Sequence, residues 1–185
     1  GAEFLVAHEA ARPHPVLDDL AQRCRGATPL ETAARLCDLV PVTFEYRKGV
    51  TYVGSTVADL IAAGAGVCQD FVHVSLAVLR GLGIAARYCS GYYFTAADRT
   101  AQSAEVETHA WLEIMLPDGK DGWTWVGFDP TNTASATDCH VKIGHGRWYS
   151  DVPPIKGVFR GPPGGELTAT VTMTLVDEPT GTTRV

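Results

Sequence analysis

No apolar run in this chain approaches the roughly 20 residues that a bilayer-spanning helix needs, so no transmembrane helix is expected. Runs of Lys or Arg are missing as well. Fifteen basic residues stand against 21 acidic ones, for a net charge of -6, which argues against a nucleic-acid or anionic-membrane partner. The five cysteines, at positions 24, 37, 68, 89 and 139, lack the short paired spacings of a zinc site or a disulfide scaffold. A reducing compartment, hence a cytoplasmic location, is the matching expectation. No secretory pattern opens the chain, and internal repeats and low-complexity segments are missing. With 45% apolar and 19% charged residues in 185, the composition excludes the profile of a disordered chain and suits one domain, 1–185. Residues 1–4, GAEF, have the look of a cloning scar, and residues 178–185 read as a disordered tail.

What is present changes character half-way along. Leu17, Leu20, Ala21 and Cys24 fall at helical spacing over 15–24, and Gly26 ends that segment. Thr28-Pro29-Leu30-Glu31 combines a capping-box spacing with Pro at the first helical position, predicting a helix over 29–39 that Pro41 stops. Residues 42–46 read as extended and irregular. Thr56 caps a short helix ending at Gly64. Residues 67–80 are apolar on nearly all sides, as in a helix at the centre of a domain. From Ile84 onward β-branched and aromatic residues predict strands over 84–94, 108–116 and 123–129. Residues 166–176 alternate apolar and Thr positions, the pattern of a half-buried antiparallel strand. Residues 95–107 read as a polar loop just before His109. Helices first and strands afterwards, without helical crossovers, predict an α+β domain with an antiparallel sheet.

A thiol attacks an amide as thiolate, and a helix N-terminus favours that anion. Cys68 opens the buried helix, behind Gly64 and Gly66, which would let a substrate approach. Its backbone N–H is one donor for a developing oxyanion. A base is expected from the sheet. With a five-residue turn over 117–121, His109 falls directly across from Asp129 on one face; a six-residue turn without a bulge would send Asp129 to the other. Asp129 would then fix the His109 tautomer while the other ring nitrogen takes the Cys68 proton. The remaining cysteines read as structural: Cys24 and Cys37 on apolar helix faces, Cys89 in a strand, Cys139 in a loop. His73 reads as a hydrogen-bonded core histidine. His140 and His145, five apart on one strand, should point to opposite faces, which speaks against zinc between them.

Three strings in order carry a family resemblance: AGVCQDFVH around Cys68, ETHAWLEIML around His109 and GWTWVGFDPTN around Asp129. Together they resemble the transglutaminase-like cysteine enzyme superfamily, especially its bacterial members. The likeness extends from about residue 16 to 176, including DVPPIKGVFRG. It implies a papain-like core in which N-terminal helices, the Cys-bearing one included, pack on an antiparallel sheet. It also implies that Cys68 is the nucleophile, His109 the general acid/base and Asp129 the orienting carboxylate. Many relatives carry a β-rich domain before this region, so the chain is expected to be either an excised domain or a short form. A second oxyanion donor is expected upstream of the nucleophile, where Tyr46 offers a phenol. Trp111, Trp123 and Trp125 are candidates for cleft walls or core packing, Gln69 and Asp70 for capping, and Pro130 and Asn132 for shaping the turn after Asp129.

The activity implied is hydrolysis or acyl transfer at an amide bond, without a cofactor or metal. The substrate would be a peptide, a protein or a small amide, with an amine as a possible acceptor. The alternative is a catalytically silent protein-binding module on the same fold. A His-based metalloenzyme is the remaining rival.

Overall fold

A computed structural model describes residues 2–6, 12–101, 103–154, 157, 160 and 170–176. The expected tail lies outside the described residues, as does the first part of the 166–176 segment. Phe4, within the supposed scar, packs edge-on against Trp125 at 5.3 Å.

Four helices lead: Pro15–Cys24 (α1), Pro29–Thr43 (α2), Val57–Ala63 (α3) and Cys68–Gly81 (α4). Their starts follow local chemistry. Thr28 Oγ1 accepts the Glu31 N–H (3.1 Å), and Thr56 and Asp59 cap one another reciprocally before Gly64 ends α3 at φ 64°. Pro41 does not stop α2 at residue 39. A proline this close to the end removes one backbone bond, whereas Thr43 Oγ1 donates to Leu39 O (2.7 Å) and Phe44 N–H to Val40 O (2.9 Å). Val40 and Phe44 are both buried, so the last turn is held by packing. Residues 42–46 are therefore partly helical, and Glu45–Tyr46 (β1) pairs in parallel with Ala65–Gly66 (β2).

The second half is sheet: Ala86–Tyr93 (β3), Ser103–Glu105 (β4), Thr108–Pro117 (β5), Trp123–Asp129 (β6), Ala134–Ser135 (β7), His140–Gly146 (β8) and Thr172–Thr174 (β9). Five strands form one antiparallel sheet in the order β7-β6-β5-β3-β8. Segment 95–107 is not a plain loop. Thr95 and Asp98 cap Ala96–Ala101 (α5), and β4 pairs antiparallel with β9. The T-x-x-D signal at 95–98 was readable in the sequence. Of the alternating 166–176 segment, only β9 is a described strand, with Met173 partly buried between exposed threonines and Leu175 exposed.

One sheet face, with Ala86, Tyr88, Ala110, Leu112, Ile114 and Phe128, packs against α2 and α4, and α1 packs on those two helices, in a core that includes Leu20, Leu36, Phe71 and Leu76. The other face carries Cys89, Trp111 and the ionic trio Arg87, Glu113 and Lys142. Arg87 Nε donates to Glu113 Oε2 (2.6 Å) and Lys142 Nζ to Glu113 Oε1 (2.7 Å), while the Arg87 guanidinium lies 3.9 Å from the Trp125 ring centre. Those cations hold the Glu113 carboxyl below its ordinary range, outweighing burial, which acts the other way. Among the described residues, no helix is long and apolar enough to cross a membrane.

Candidate active site

Cys68 is the first residue of α4, where the early amides of a helix have no intrahelical acceptors. Asp70 fixes this terminus: its Oδ2 accepts the Val67 N–H (2.9 Å) and the Thr51 hydroxyl (2.6 Å). Capping is thus what Asp70 does. Gly66 serves packing rather than substrate approach, because a Cβ there would stand 2.7 Å from Asp70 Oδ2 and from Leu60 Cδ1.

The β5–β6 hairpin brings His109 and Asp129 together, though in a different register from that expected. Asp118 N–H donates to Gly122 O (3.0 Å), and Asp118 Oδ1 accepts the amides of Lys120 (2.7 Å) and Gly122 (2.9 Å). The carboxylate holds the five-residue reversal over 118–122, one residue later than expected, so Pro117 pairs with Trp123 and Leu112 with Phe128. This shifts pairing by two residues, an even number that preserves the face. Asp129 sits diagonally from His109, within reach of a side chain. His109 Nε2 and Asp129 Oδ2 are 2.8 Å apart. A carboxylate only accepts, so Nε2 carries the proton and Nδ1 is left for Cys68.

Asp129 is fully buried yet well supplied with donors. Oδ1 accepts the backbone amides of Thr131 (2.9 Å) and Asn132 (3.2 Å). Oδ2 takes His109, Asn132 Nδ2 (2.7 Å) and His140 Nε2 (3.0 Å). Burial would raise its pKa, but these bonds, His109 first among them, hold it well below the usual carboxylate range. Burial likewise opposes charge on His109. Its bonds to Asp129 and Cys68 win, and its pKa rises to about 9.

His140 is the residue sequence reasoning missed. Between Ser90 and Gly91 the pairing of β3 with β8 shifts by one residue, leaving Ile143 as a bulge. His140 faces Tyr93 and His145 faces Cys89, so the two histidines share a sheet face after all, though far apart along it. Gly91 permits this arrangement, since a Cβ there would lie 2.1 Å from Val141 O. No sequence signal announces such a bulge.

The ligand atoms of His109, Asp129 and His140 lie within 4.8 Å of one another, a spacing compatible with a metal triplet. The donor set argues for hydrogen bonding instead. Thr137 N–H donates to His140 Nδ1 (3.1 Å), which leaves the ring proton on Nε2, directed at the carboxylate.

Tyr46, on β1, lines a cleft of about 280 Å³ together with Cys68, Gln69 and His109. Burial and the nearby Cys68 raise its phenol pKa above the ordinary value, so it keeps its proton. Lys48 Nζ, which bonds Glu107 (2.6 and 2.9 Å), lies on the same rim. Of the three candidate tryptophans, Trp111 is buried beside His109 (6.3 Å between ring centres), Trp123 is exposed, and Trp125 packs under Arg87. Cys24, Cys37 and Cys89 are buried free thiols. Burial pushes the pKa of each upward, which suits an inert role. His73 is a core residue, stacked on Trp148 at 3.8 Å and accepting the Tyr149 N–H (3.4 Å).

The family model described as the transglutaminase-like superfamily matches residues 18–130, from the lead-in helices through the Cys68, His109 and Asp129 segments. The chain belongs to that superfamily. This transglutaminase-like chain is 38% identical over 133 residues to an uncharacterized protein of Mycobacterium leprae and 35% identical over 132 residues to one of Mycobacterium tuberculosis. In each case 70% of this chain is matched, against 45% and 42% of the relative, so it spans less than half the length of these curated relatives. Among solved structures it is similar to a Cytophaga hutchinsonii protein described as a candidate cysteine protease. That match has a TM-score of 0.75 at 24% identity and covers 97% of this chain and 57% of the other. It is also similar to the periplasmic domain of TgpA from Pseudomonas aeruginosa, with a TM-score of 0.50 at 26% identity, covering 71% and 48%. The first likeness establishes the shared fold of helices on an antiparallel sheet.

Proposed function

We propose that this transglutaminase-like domain cleaves or transfers amide-linked acyl groups through a thioester on Cys68, with His109 and Asp129 completing a triad. The observation that carries this reading is the His109 ring, bonded through Nε2 to a buried carboxylate (2.8 Å) and lining the same cleft as Cys68 at the head of α4. Such chemistry uses a thiolate beside a protonated base, and His109, with its pKa raised to about 9, supplies that base in its charged form at neutral pH. Cys68 Sγ bonds to the substrate carbonyl carbon, and the carbonyl π-electrons move to oxygen. The Cys68 amide and the Tyr46 phenol are the donors assigned to that oxyanion. When the C–N bond breaks, His109 gives its proton to the departing amine. Water or a second amine then attacks the thioester, losing its proton to His109, and the thiolate leaves. Peptides, proteins or small amides are the substrate class, with an amine as acceptor in the transfer variant.

Iodoacetamide labelling at pH 6, read by mass spectrometry, tests the activated thiol without a substrate. Cys68 should be the one cysteine modified rapidly, and His109→Ala should abolish that preference. Cys68 reacting no faster than a free thiol would end the catalytic reading in favour of a non-catalytic binding scaffold. A positive outcome leads to a screen of peptide amides with and without amine acceptors, in which release and exchange are measured together.

A further inference from the structure

The proposed triad does not use His140, although its side chain is 2% exposed and its Nε2 lies 3.0 Å from the same oxygen of Asp129 that meets His109. The placement is specific. Oδ1 is already held by two backbone amides of the turn, whereas Oδ2 is held by side chains alone, those of His109, Asn132 and His140. The His140 ring is itself oriented from behind by Thr137 N–H. Tyr93 flanks it at 4.7 Å between ring centres and Trp111 edge-on at 5.2 Å, and the same two aromatics border His109 at 5.5 and 6.3 Å. The two imidazoles therefore share one carboxylate oxygen and one aromatic enclosure. Reaching it requires a curled sheet. His140 on β8 and Asp129 on β6 are separated by β5 and β3, about 14 Å at three flat strand spacings. A buried polar ring brought across that distance onto a single oxygen does more than fill space.

We propose that His140 is a positioning residue, which acts through Asp129 by fixing Oδ2 where it orients the His109 ring toward Cys68. The role rests on the triad reading for its catalytic meaning, and on the hydrogen-bond geometry alone for its structural meaning. Without the His140 donor, Oδ2 keeps two partners beside a space next to Trp111, and the carboxylate is free to tilt. His109 then loses the ring orientation that presents Nδ1 to the thiol.

Two measurements test this. In wild-type protein, long-range ¹H–¹⁵N spectra should find the His140 proton on Nε2 with Nδ1 unprotonated; the opposite tautomer overturns the proposal and requires no variant to fold. Next, Cys68 alkylation is followed from pH 5 to 10 in His140→Phe, which keeps the ring volume without the donor, and in His140→Gln, whose amide can restore it. His140→Phe should slow alkylation at pH 6 roughly tenfold, by analogy with the loss of the outer hydrogen-bond partner of a metal-bound histidine, and shift the pH profile. His140→Gln should recover the rate to within about threefold, half a decade of that loss. Equal rates and profiles in wild type and His140→Phe would sink the role. A slow His140→Gln with a wild-type melting curve would do so as well. If wild-type Cys68 proves unreactive while the His109 Nε2–H resonance is present and disappears in His140→Phe, the catalytic reading fails and the positioning role stands.

Discussion

At the scale of single residues, Asp129 carries the most. It is fully buried and accepts from five donors on two oxygens, so it both orients His109 and closes the turn that follows β6. Asp129→Asn should lower turnover by about 10³-fold or more, as loss of an orienting carboxylate does in related triads, while folding is largely kept. Asp129→Ala strands several buried donors and should cost about 3 kcal/mol in addition; urea denaturation of both variants separates the two roles. Cys24→Ala and Cys37→Ala should leave Cys68 labelling unchanged and cost about 1–2 kcal/mol each for lost packing. Cys68, His109 and Asp129, the residues of the proposed triad, were legible because each sits in a distinctive local string. His140 was not, since its partner lies across three strand boundaries.

At the scale of elements, the head of α4 is where backbone and chemistry meet. Val67 N–H, Asp70 and Thr51 form a small bonded group beneath Cys68, and Gly66 passes close to Asp70 and Leu60 with no room for a Cβ. Gly66→Ala should destabilise by about 1–3 kcal/mol through overpacking and slow Cys68 labelling, because Asp70 must move and the helix terminus with it. A melting temperature and labelling rate equal to wild type would mean that the terminus adapts without consequence. Helix limits were readable wherever a side chain caps the backbone, as at Thr28 and Thr56. They were misread at Pro41, where burial of Val40 and Phe44 sustains the helix past a residue that disfavours it. The β5–β6 turn was misplaced by one residue: Asp118 accepts two amides of the reversal and holds it over 118–122.

For the whole molecule, the His109–Asp129 pair links stability to pH. The His109 pKa is raised from 6.5 to about 9, so the stability from its charged form is complete below pH 6.5 and is lost as pH climbs through 9. Asp129 is shifted downward, so its contribution holds above about pH 4, the unfolded aspartate value, and falls away in acid. The bond between the two residues contributes to both limits. The stability gap between wild type and His109→Ala should therefore be widest between about pH 4 and 6.5. It should reach about 3 kcal/mol there, from the size of the His109 shift, and close toward pH 10. A gap independent of pH across thermal melts would mean that packing, not charge, supplies it. Glu113→Leu, which leaves Arg87 and Lys142 without their carboxylate, should cost about 3 kcal/mol and leave Cys68 labelling nearly unchanged, since the trio lies away from Cys68.

Local sequence specified the succession of helices and then strands, the helix carrying Cys68, the strands carrying His109 and Asp129, and the common face of those two residues. Caps, hydrophobic period and strand parity are properties of neighbouring residues, and parity survives a two-residue slip. Sheet curvature and the β8 bulge, which form only when distant strands meet, settled the rest. Those features brought His140 from β8 onto the Asp129 carboxylate and placed both histidines of β8 on one face. Curvature and bulges arise from close approaches such as Val141 against Gly91, between segments some fifty residues apart, which no local pattern records.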